Sequence, residues 1–362
     1  MRPLRILIAG GGTGGHLFPG IAVAREILRR RQDTVVTFAG TARGIEARVI
    51  PREGFELDFL RSAGLKATSL PARARGISLL PVSGLDAWRI LSRRAPDVVI
   101  GVGGYSSGPI VLAAAARRIP TLLLEQNAVP GFTNRLLGRV VTSAAVTFDA
   151  TVSFFAGKGF VTGNPVRAEF FEVGAGRVDG PPRLLIFGGS QGAHAINVAM
   201  IEAARGLATR RLDLEITHQT GERDLEVVRE GYRRAGVAAR VEAFLFDMAR
   251  EMKLADLVIC RSGATTIAEL TASSRPAIFI PLPTAADDHQ RVNAQVVASA
   301  GAAEVIEQHQ LTGERLAGRI AALVADDTAL RRMSAAARQL AHPDAAGAIV
   351  ERVFELAGRR AA

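Results

Sequence analysis

At 362 residues, with 48% hydrophobic and 22% charged positions, the chain has the composition of a globular protein long enough for two domains, which excludes a disordered one. Its single cysteine excludes an internal disulfide, and no apolar run approaches the ~18 residues that a membrane span needs. The net charge of +10 is uneven: residues 1–166 hold 21 Lys+Arg against 10 Asp+Glu, a balance of +11, while the remainder stands at −1, a bias that suits an anionic partner or plain solubility in an arginine-rich composition.

Residues 5–9 form a short apolar run leading straight into a glycine loop. This reads as a first strand rather than a secretory signal, so a cytoplasmic chain is expected. Residues 21–28 have helical periodicity, and 35–39 are again strand-like. Further short runs of branched aliphatics, bounded by Gly, Pro or Asp, lie at 98–102, 121–124, 183–187, 214–217, 257–260 and 277–280. Continuous apolar strands between helices predict parallel sheets covered on both faces. RILIAGGGTGGH at 5–16 is echoed by RLLIFGGSQGAH at 183–194, each a strand, a glycine turn and a helix start. Half a chain apart, the two predict two doubly wound domains. The Gly-, Pro- and polar-rich stretch 173–182 marks the neighbourhood of the break. The domains are drawn at 1–166 and 167–342, with an amphipathic helix at about 343–362 free to pack back on the first.

Gly10, Gly11, Gly12, Thr13, Gly14, Gly15 and His16 form the first loop, where glycines admit close backbone approach and the following helix N-terminus favours an anion. Gly10, Gly12 and Gly15 spell G-x-G-x-x-G, but residues 39–43 read AGTAR, without the ribose-holding acid of a dinucleotide site, and no Lys-Ser/Thr follows as in a Walker loop. His16 ends the loop at a strand's carboxyl end, where ligands of open parallel sheets lie. Near a helix N-terminus an imidazole is biased towards its neutral form, which suits a general base; a capping or packing histidine is the alternative. A second glycine loop, 101–108, contains Gly103, Gly104, Tyr105 and Ser106 and offers a second anion cradle. Glu125, Gln126 and Asn127 emerge at another carboxyl end.

In the second half, residues 188–192 repeat the anion logic with Ser190 added. After strand 257–260, small and hydroxyl residues open a helix that suits a phosphate. Glu269 on its first turns suits either both hydroxyls of a ribose or the helix dipole at the surface. Asp287, Asp288 and His289 fit no common metal-ligand spacing, so no metal is expected. Cys260 sits in an apolar run and reads as a small buried hydrophobe.

With these stretches placed, the chain resembles one family over essentially its whole length: the undecaprenyldiphospho-muramoylpentapeptide β-N-acetylglucosaminyltransferases, two-Rossmann glycosyltransferases of the type called GT-B. The matching stretches are GGGTGGHLFPG, GVGGYSSGP, EQN, TGNPVR, GGSQGA, RSGATTIAEL and DDHQRVNA, in the family's order and approximate spacing. Each is unspecific alone, and together they are highly specific. The resemblance implies an α/β, GT-B fold of two doubly wound Rossmann-like domains facing a central cleft. It implies transfer, with inversion, of N-acetylglucosamine from UDP-N-acetylglucosamine to the 4-hydroxyl of a lipid-linked N-acetylmuramyl-pentapeptide. No cofactor and no metal are implied, and the setting is peripheral, on the cytoplasmic face of the bacterial plasma membrane.

Residue by residue, the resemblance makes His16 the base and sets Thr13, Gly14 and Gly15 beside the donor's sugar and diphosphate. Asn127 and Arg167 reach the donor from the hinge side, and Ser190 contacts the diphosphate. Leu245 stands where a backbone edge reads the uracil. Ala264, Thr265, Thr266, Ile267, Ala268 and Glu269 hold phosphate and ribose, and Gln290 reads sugar hydroxyls. Gly103, Gly104, Tyr105 and Ser106 are assigned to the acceptor diphosphate. Three positions depart from the family's pattern. Leu124 replaces the histidine common before Glu-Gln-Asn, residues 243–248 are an apolar variant of a more acidic segment, and His289 stands where a glutamine can occur. A nucleotide-sugar epimerase of the same build needs acidic catalytic residues in the cleft, and the TGGH loop argues against it. A nucleic-acid-binding role lacks an aromatic-interleaved basic patch. Within residues 70–94, Ile77, Leu79, Leu80, Val82, Leu85 and Trp88 alternate with Arg73, Arg75, Arg89, Arg93 and Arg94. This segment is expected to meet an anionic membrane surface, core packing of Leu79, Leu85 and Trp88 being the alternative.

Overall fold

Branched aliphatic runs too short for helices pair as strands. The computed structural model of the protein describes residues 2–63, 78–172, 180–189 and 192–361. One sheet contains β1 Arg5–Gly10, β2 Val35–Gly40, β3 Glu56–Phe59, β4 Val98–Gly103, β5 Thr121–Glu125, β6 Ser143–Val146 and β7 Gly159–Val161. All pair in parallel, in the order β3-β2-β1-β4-β5-β6-β7. The other contains β8 Arg183–Phe187, β9 Glu215–Gln219, β10 Ala239–Glu242, β11 Leu257–Cys260, β12 Ala277–Phe279 and β13 Ala303–Val305, parallel in the order β10-β9-β8-β11-β12-β13.

The helices between the strands of the first sheet are α1 Gly14–Arg30, α2 Glu46–Arg52, α3 Leu80–Arg94, α4 Ser107–Ala116 and α5 Phe132–Leu137. With the second sheet go α6 His194–Thr209, α7 Leu225–Ala235, α8 Met248–Leu254, α9 Ala264–Ala272, α10 His289–Ser299, α11 Gly313–Val324 and α12 Asp327–Gln339, followed by α13 Ala345–Ala361. The chain divides into two compact units, one of Met1–Val166 with His342–Ala362, the other of Arg167–Ala341. In each sheet the strand order reverses beside its first strand, between β1 and β4 and between β8 and β11. Such switch points leave a crevice at the carboxyl ends, where open sheets bind ligands.

Alternation along β1 sends Ile6 and Ile8 to one face and Leu7 and Ala9 to the other. The first pair packs with Leu17, Ile21 and Ala24 of α1 and with Ile349, Val350 and Val353 of α13. The second pair packs with Ala87, Ile90 and Leu91 of α3 and Ile110 and Val111 of α4. The terminal helix therefore closes one face of the first sheet. Arg30 pairs with Glu351 at 3.3 Å, and Arg352 lies 4.8 Å over the Phe160 ring.

Observed elements differ from the expected ones where local signal is weak. The helix read at 21–28 starts at Gly14, because its first turn is glycines of poor intrinsic propensity and Pro19 follows. The strand read at 214–217 runs Glu215–Gln219. That register buries His218, whose ring is fully satisfied: the Tyr232 hydroxyl donates to Nδ1 at 3.0 Å, and Nε2 donates to Asn197 Oδ1 at 3.1 Å. Asn197 in turn donates to Thr220 O at 3.0 Å and Asp224 Oδ2 at 2.8 Å, fixing the turn after β9.

Burial pushes the His218 pKa down to about 3, against an ordinary 6.5. Between these values the unfolded chain binds the extra proton, so stability is full above pH 6.5 and falls as the pH drops towards 3. At pH 4.5 the loss should reach about 3 kcal/mol in the second unit, at ~1.4 kcal/mol per unit of pH. Native-state hydrogen exchange of β8 and α6 amides reads that unit alone. Equal protection at pH 7 and pH 4.5 would contradict the assignment.

Candidate functional site

β1 delivers Gly10 to the carboxyl edge of the first sheet, and the loop to α1 is held from beneath by a carboxylate. Glu46, the first residue of α2, is 1% exposed. One of its oxygens accepts the Gly12 N–H at 2.9 Å; the other accepts the N–H and the hydroxyl of Thr41, each at 2.9 Å. At Gly11, where φ is +147°, an added Cβ would stand 2.5 Å from that carboxylate. The end of β2, which lacks an acid of its own, is thus supplied with one from α2, and it is spent on the loop backbone. Sequence reasoning passed over Glu46, although its packing explains why Gly40 and Gly44 are both glycine: a Cβ there would lie 2.6 and 2.1 Å from it.

Thr13 occupies the N-cap of α1 but makes no capping hydrogen bond with its side chain. Its hydroxyl lies 3.0 Å from His16 Nδ1 instead. The ring rests on Gly103, the last residue of β4, where φ is +98° and a Cβ would meet His16 Cδ2 at 2.7 Å. A Cβ on Gly104 would meet the Gly11 carbonyl at 2.5 Å. The two glycine loops flanking the first switch point therefore interlock, with the imidazole between them.

Beyond Gly104 and Tyr105, Ser106 and Ser107 open α4. Both are buried, their hydroxyls have no hydrogen-bond partner among the described residues, and no acidic residue occupies the helix's first turn. At the end of β5, Glu125 is 3% exposed and accepts from Asn127 N at 3.0 Å, Asn127 Nδ2 at 3.3 Å, Gly131 N at 3.0 Å and Asn134 Nδ2 at 2.9 Å. Burial pushes its pKa up, and these donors pull the other way. Gln126 donates to Val102 O at 3.3 Å. Of this motif, Glu125 and Gln126 turn inwards, and Glu125 sets the position of Asn127.

Beside His16, Gly103, Gly104 and Tyr105 opens a cavity of about 630 Å³, walled by Trp88, Leu112, Phe132 and Leu136. Leu80, Leu85, Trp88, Leu112 and Leu136 are 47–63% exposed, while α3 buries Ser83, Ala87, Ile90 and Leu91. Leu85 and Trp88 therefore do not serve the core, and Arg117 stacks 4.8 Å over the Trp88 ring. Two arginines expected at that surface are engaged otherwise: Arg93 and Arg94 both bind Asp58, each at 2.6 Å. Arg89 is exposed, and Arg73, Arg75 and Ile77 lie outside the described residues.

In the second unit the loops after β8 and β11 flank the switch point. Ser190 lies outside the described residues. Around it, Gly189 O accepts from Gln219 Nε2 at 2.9 Å and from Gly192 N at 2.9 Å. After β11, Arg261 donates to Ile280 O at 2.9 Å, Pro281 O at 3.1 Å and Gln308 Oε1 at 2.7 Å. Ser262 donates to Gln290 O at 2.8 Å, and Gln290 Oε1 accepts from Leu282 N at 3.0 Å. These bonds tie the β12–α10 connection to the start of α9. That helix begins at Ala264 without a side-chain cap and with no acid in its first turn, where Thr265 and Thr266 stand, followed by Ile267 and Ala268. Uncapped N–H groups there attract an anion.

Leu245 is buried in the β10–α8 connection, between the more exposed Phe244 and Phe246, whose rings lie 5.1 Å apart. Arg167 stacks 5.2 Å over Phe170. Asp288 pairs with Arg291, and His289 Nδ1 lies 2.6 Å from Ala286 O. Among the described residues no group of three or more His, Cys, Asp or Glu is arranged to hold a metal ion. Cys260 is buried, which pushes its thiol pKa up.

The model of the glycosyltransferase family 28 N-terminal domain matches residues 6–146, and that of the family's C-terminal domain matches residues 183–349. A protein of Anaeromyxobacter sp. (strain K), named UDP-N-acetylglucosamine--N-acetylmuramyl-(pentapeptide) pyrophosphoryl-undecaprenol N-acetylglucosamine transferase, is 49% identical over 360 residues, 99% of this chain and 94% of that one. One of Geobacter metallireducens with the same name is 48% identical over 357 residues, 97% and 98% of the two chains. The crystal structure of Acinetobacter baumannii MurG matches with a TM-score of 0.82 at 34% identity, covering 98% of this chain and 100% of that one. The chain belongs to glycosyltransferase family 28. Its N-terminal family 28 match holds Glu46, the interlocked loops and Glu125, and its C-terminal match holds α9 with Glu269.

Glu269 is an energetic liability in this family 28 chain. Burial raises its pKa to about 7 from an ordinary 4.5, and the charge of Arg167 only partly offsets this. Between those values the folded chain holds a proton that the unfolded chain has lost. The penalty therefore grows as pH rises from 4.5 to 7 and is constant above. Glu269→Gln should raise the stability of the second unit at pH 8 by up to about 3 kcal/mol and flatten its pH dependence in that window. Denaturant titrations at pH 5 and pH 8 check this; an equal or lower midpoint for the variant at pH 8 would contradict it.

Proposed function

We propose that the chain transfers N-acetylglucosamine from UDP-N-acetylglucosamine to the 4-hydroxyl of an N-acetylmuramyl-pentapeptide carried on a lipid diphosphate. The observation that carries the reading is the His16 imidazole, set between two interlocked glycine loops at a switch point. With hydrogen on Nδ1, the ring donates to the Thr13 hydroxyl and its lone pair lies on Nε2, the form a base requires. His16 takes the acceptor's hydroxyl proton as that oxygen bonds to the anomeric carbon. The bond from that carbon to the UDP oxygen breaks, its electrons leave with UDP, and the configuration inverts.

In the first unit, Thr13, Gly14 and Gly15 border the transferred sugar. Gly103, Gly104, Tyr105 and Ser106, with the uncapped start of α4, take the acceptor's diphosphate. Glu125 holds Asn127 for the donor. In the second unit, the first turn of α9 at Ala264, Thr265 and Thr266, together with Ser190, meets the charge on the departing diphosphate, a task helix N-termini perform electrostatically. Ile267 and Ala268 carry that helix on to Glu269, whose ionised carboxylate accepts both ribose hydroxyls, with Arg167 beside it. Leu245 presents its backbone to the uracil, and Gln290 reads sugar hydroxyls. The scheme enlists no metal and no cofactor.

His16→Ala should lower kcat by ~10²–10⁴-fold, the usual worth of a general base, and leave UDP affinity within about twofold. Initial rates with a synthetic lipid-linked acceptor and calorimetry with UDP measure the two. Turnover near the parent's would remove His16 from the chemistry.

We infer that a chain acting on a lipid-linked acceptor works at a membrane surface as a peripheral protein, on the cytoplasmic face. No described helix is long and apolar enough to cross a membrane. The reading is supported by the exposed Leu80, Trp88, Leu112 and Leu136 around the first unit's cavity and by the exposed Leu85 on α3, with Arg89 exposed and Arg117 stacked on Trp88. Apolar side chains enter the interface while each arginine near anionic headgroups adds about 1 kcal/mol. Co-sedimentation with phosphatidylglycerol vesicles should fall with salt, and should drop at least about tenfold when Leu80→Ser, Leu85→Ser and Arg89→Glu are combined. Unchanged binding by that folded variant would put the membrane surface elsewhere.

A further inference from the structure

We propose that Glu46 is a positioning residue for the transfer reaction, fixing the His16 imidazole through Gly12 and Thr13 without touching either substrate. The proposal rests on His16 being the base. Glu46 is 1% exposed, so it meets no ligand. Its carboxylate takes three donors, each at 2.9 Å: Gly12 N–H on one oxygen, Thr41 N–H and hydroxyl on the other. Gly12, at φ +86°, is the last residue before Thr13, whose hydroxyl orients the ring at 3.0 Å. On the far side Gly103 supports the ring and Gly104 bears on the Gly11 carbonyl. The imidazole thus rests on a glycine floor and is tethered to Thr13, and the backbone just before that tether is pinned by the Glu46 side chain.

A carboxylate accepts at both oxygens, and a carboxamide of the same shape does not. If Glu46→Gln turns its oxygen to Thr41, its NH₂ confronts the Gly12 N–H. Turned the other way, it confronts the Thr41 N–H. In either pose two donors face each other in a dry site, and the loop yields because α1, β1 and β2 are anchored in the core. Misplacing a reacting group by ~1 Å costs on the order of 10²-fold in rate.

The test is a kinetic cycle on the full chain: parent, Glu46→Gln, His16→Ala and the double variant, with donor KM, kcat and the His16 imidazole ¹⁵N signals. Glu46→Gln should lower kcat by about 10–100-fold, leave donor KM within about twofold and shift the His16 ring signals. In the His16→Ala background the same change should cost less than about twofold, because the group it positions is gone. Parent-like kcat in Glu46→Gln, or the same fold-loss in both backgrounds, would overturn the proposal. If His16→Ala alone turns over at the parent's rate, the base assignment fails, and the positioning role falls with it. Should Glu46→Gln lose its circular-dichroism signature, Thr41→Val, which removes one donor and keeps the shape, goes through the same cycle with the same non-additivity required.

Discussion

Parallel pairing governs this molecule. In both sheets every strand runs the same way, so every carboxyl end opens at one edge, and the residues with chemistry to offer leave from there. In the first unit the pairing of Gly10 with Gly103 brings the loops after β1 and β4 into direct contact. Neither loop is stable as glycine alone, since each glycine loses more conformational freedom on ordering than any other residue. The cost is met by interlocking, Gly104 against the Gly11 carbonyl and Gly103 against the His16 ring, and by the Glu46 carboxylate beneath. The geometry around His16 is set by backbone packing and one buried anion.

Buried polar groups divide by what satisfies them. Glu125 is enclosed and has four donors; His218 is enclosed and has a donor on one nitrogen and an acceptor on the other. These serve the fold and hold neighbouring loops. Glu269 is different: it is part-buried, and the charge of Arg167 offsets that burial only in part. A carboxyl held near neutrality at some cost in stability, beside an uncapped helix start, is the pattern expected where ligand hydroxyls complete the set. The same logic applies to Ser106 and Ser107, whose buried hydroxyls stand at the start of α4.

Much of this was legible in the sequence. Most buried inner strands announced themselves as aliphatic runs, but β6, whose SAAV is short and nearly without branched aliphatics, did not; the echo between residues 5–16 and 183–194 marked two similar sheets. Glycine loops, and the polar residues after strands, identified the carboxyl edges. The edge strand Glu56–Phe59 was not legible, because its alternation of polar and apolar residues is too short to separate from a loop. Glu46 was missed because its partners, Gly12 and Thr41, meet only when β1 and β2 pair. Arg93 and Arg94 looked like free surface charges for a similar reason: Asp58 comes alongside through the β2–β3 pairing and the return of α3. Local pattern reveals what a segment does alone, and these contacts belong to the tertiary fold.

The central claim is that a base in the first glycine loop delivers the acceptor oxygen to the anomeric carbon as UDP leaves. The stereochemistry of the product tests it most directly. UDP-N-acetylglucosamine labelled with ¹³C at the anomeric carbon is turned over with a lipid-linked muramyl-pentapeptide, and the one-bond carbon–proton coupling of the new linkage is read by NMR. The account predicts a single β linkage to the 4-hydroxyl. An α linkage, or release of free sugar without transfer, would contradict it.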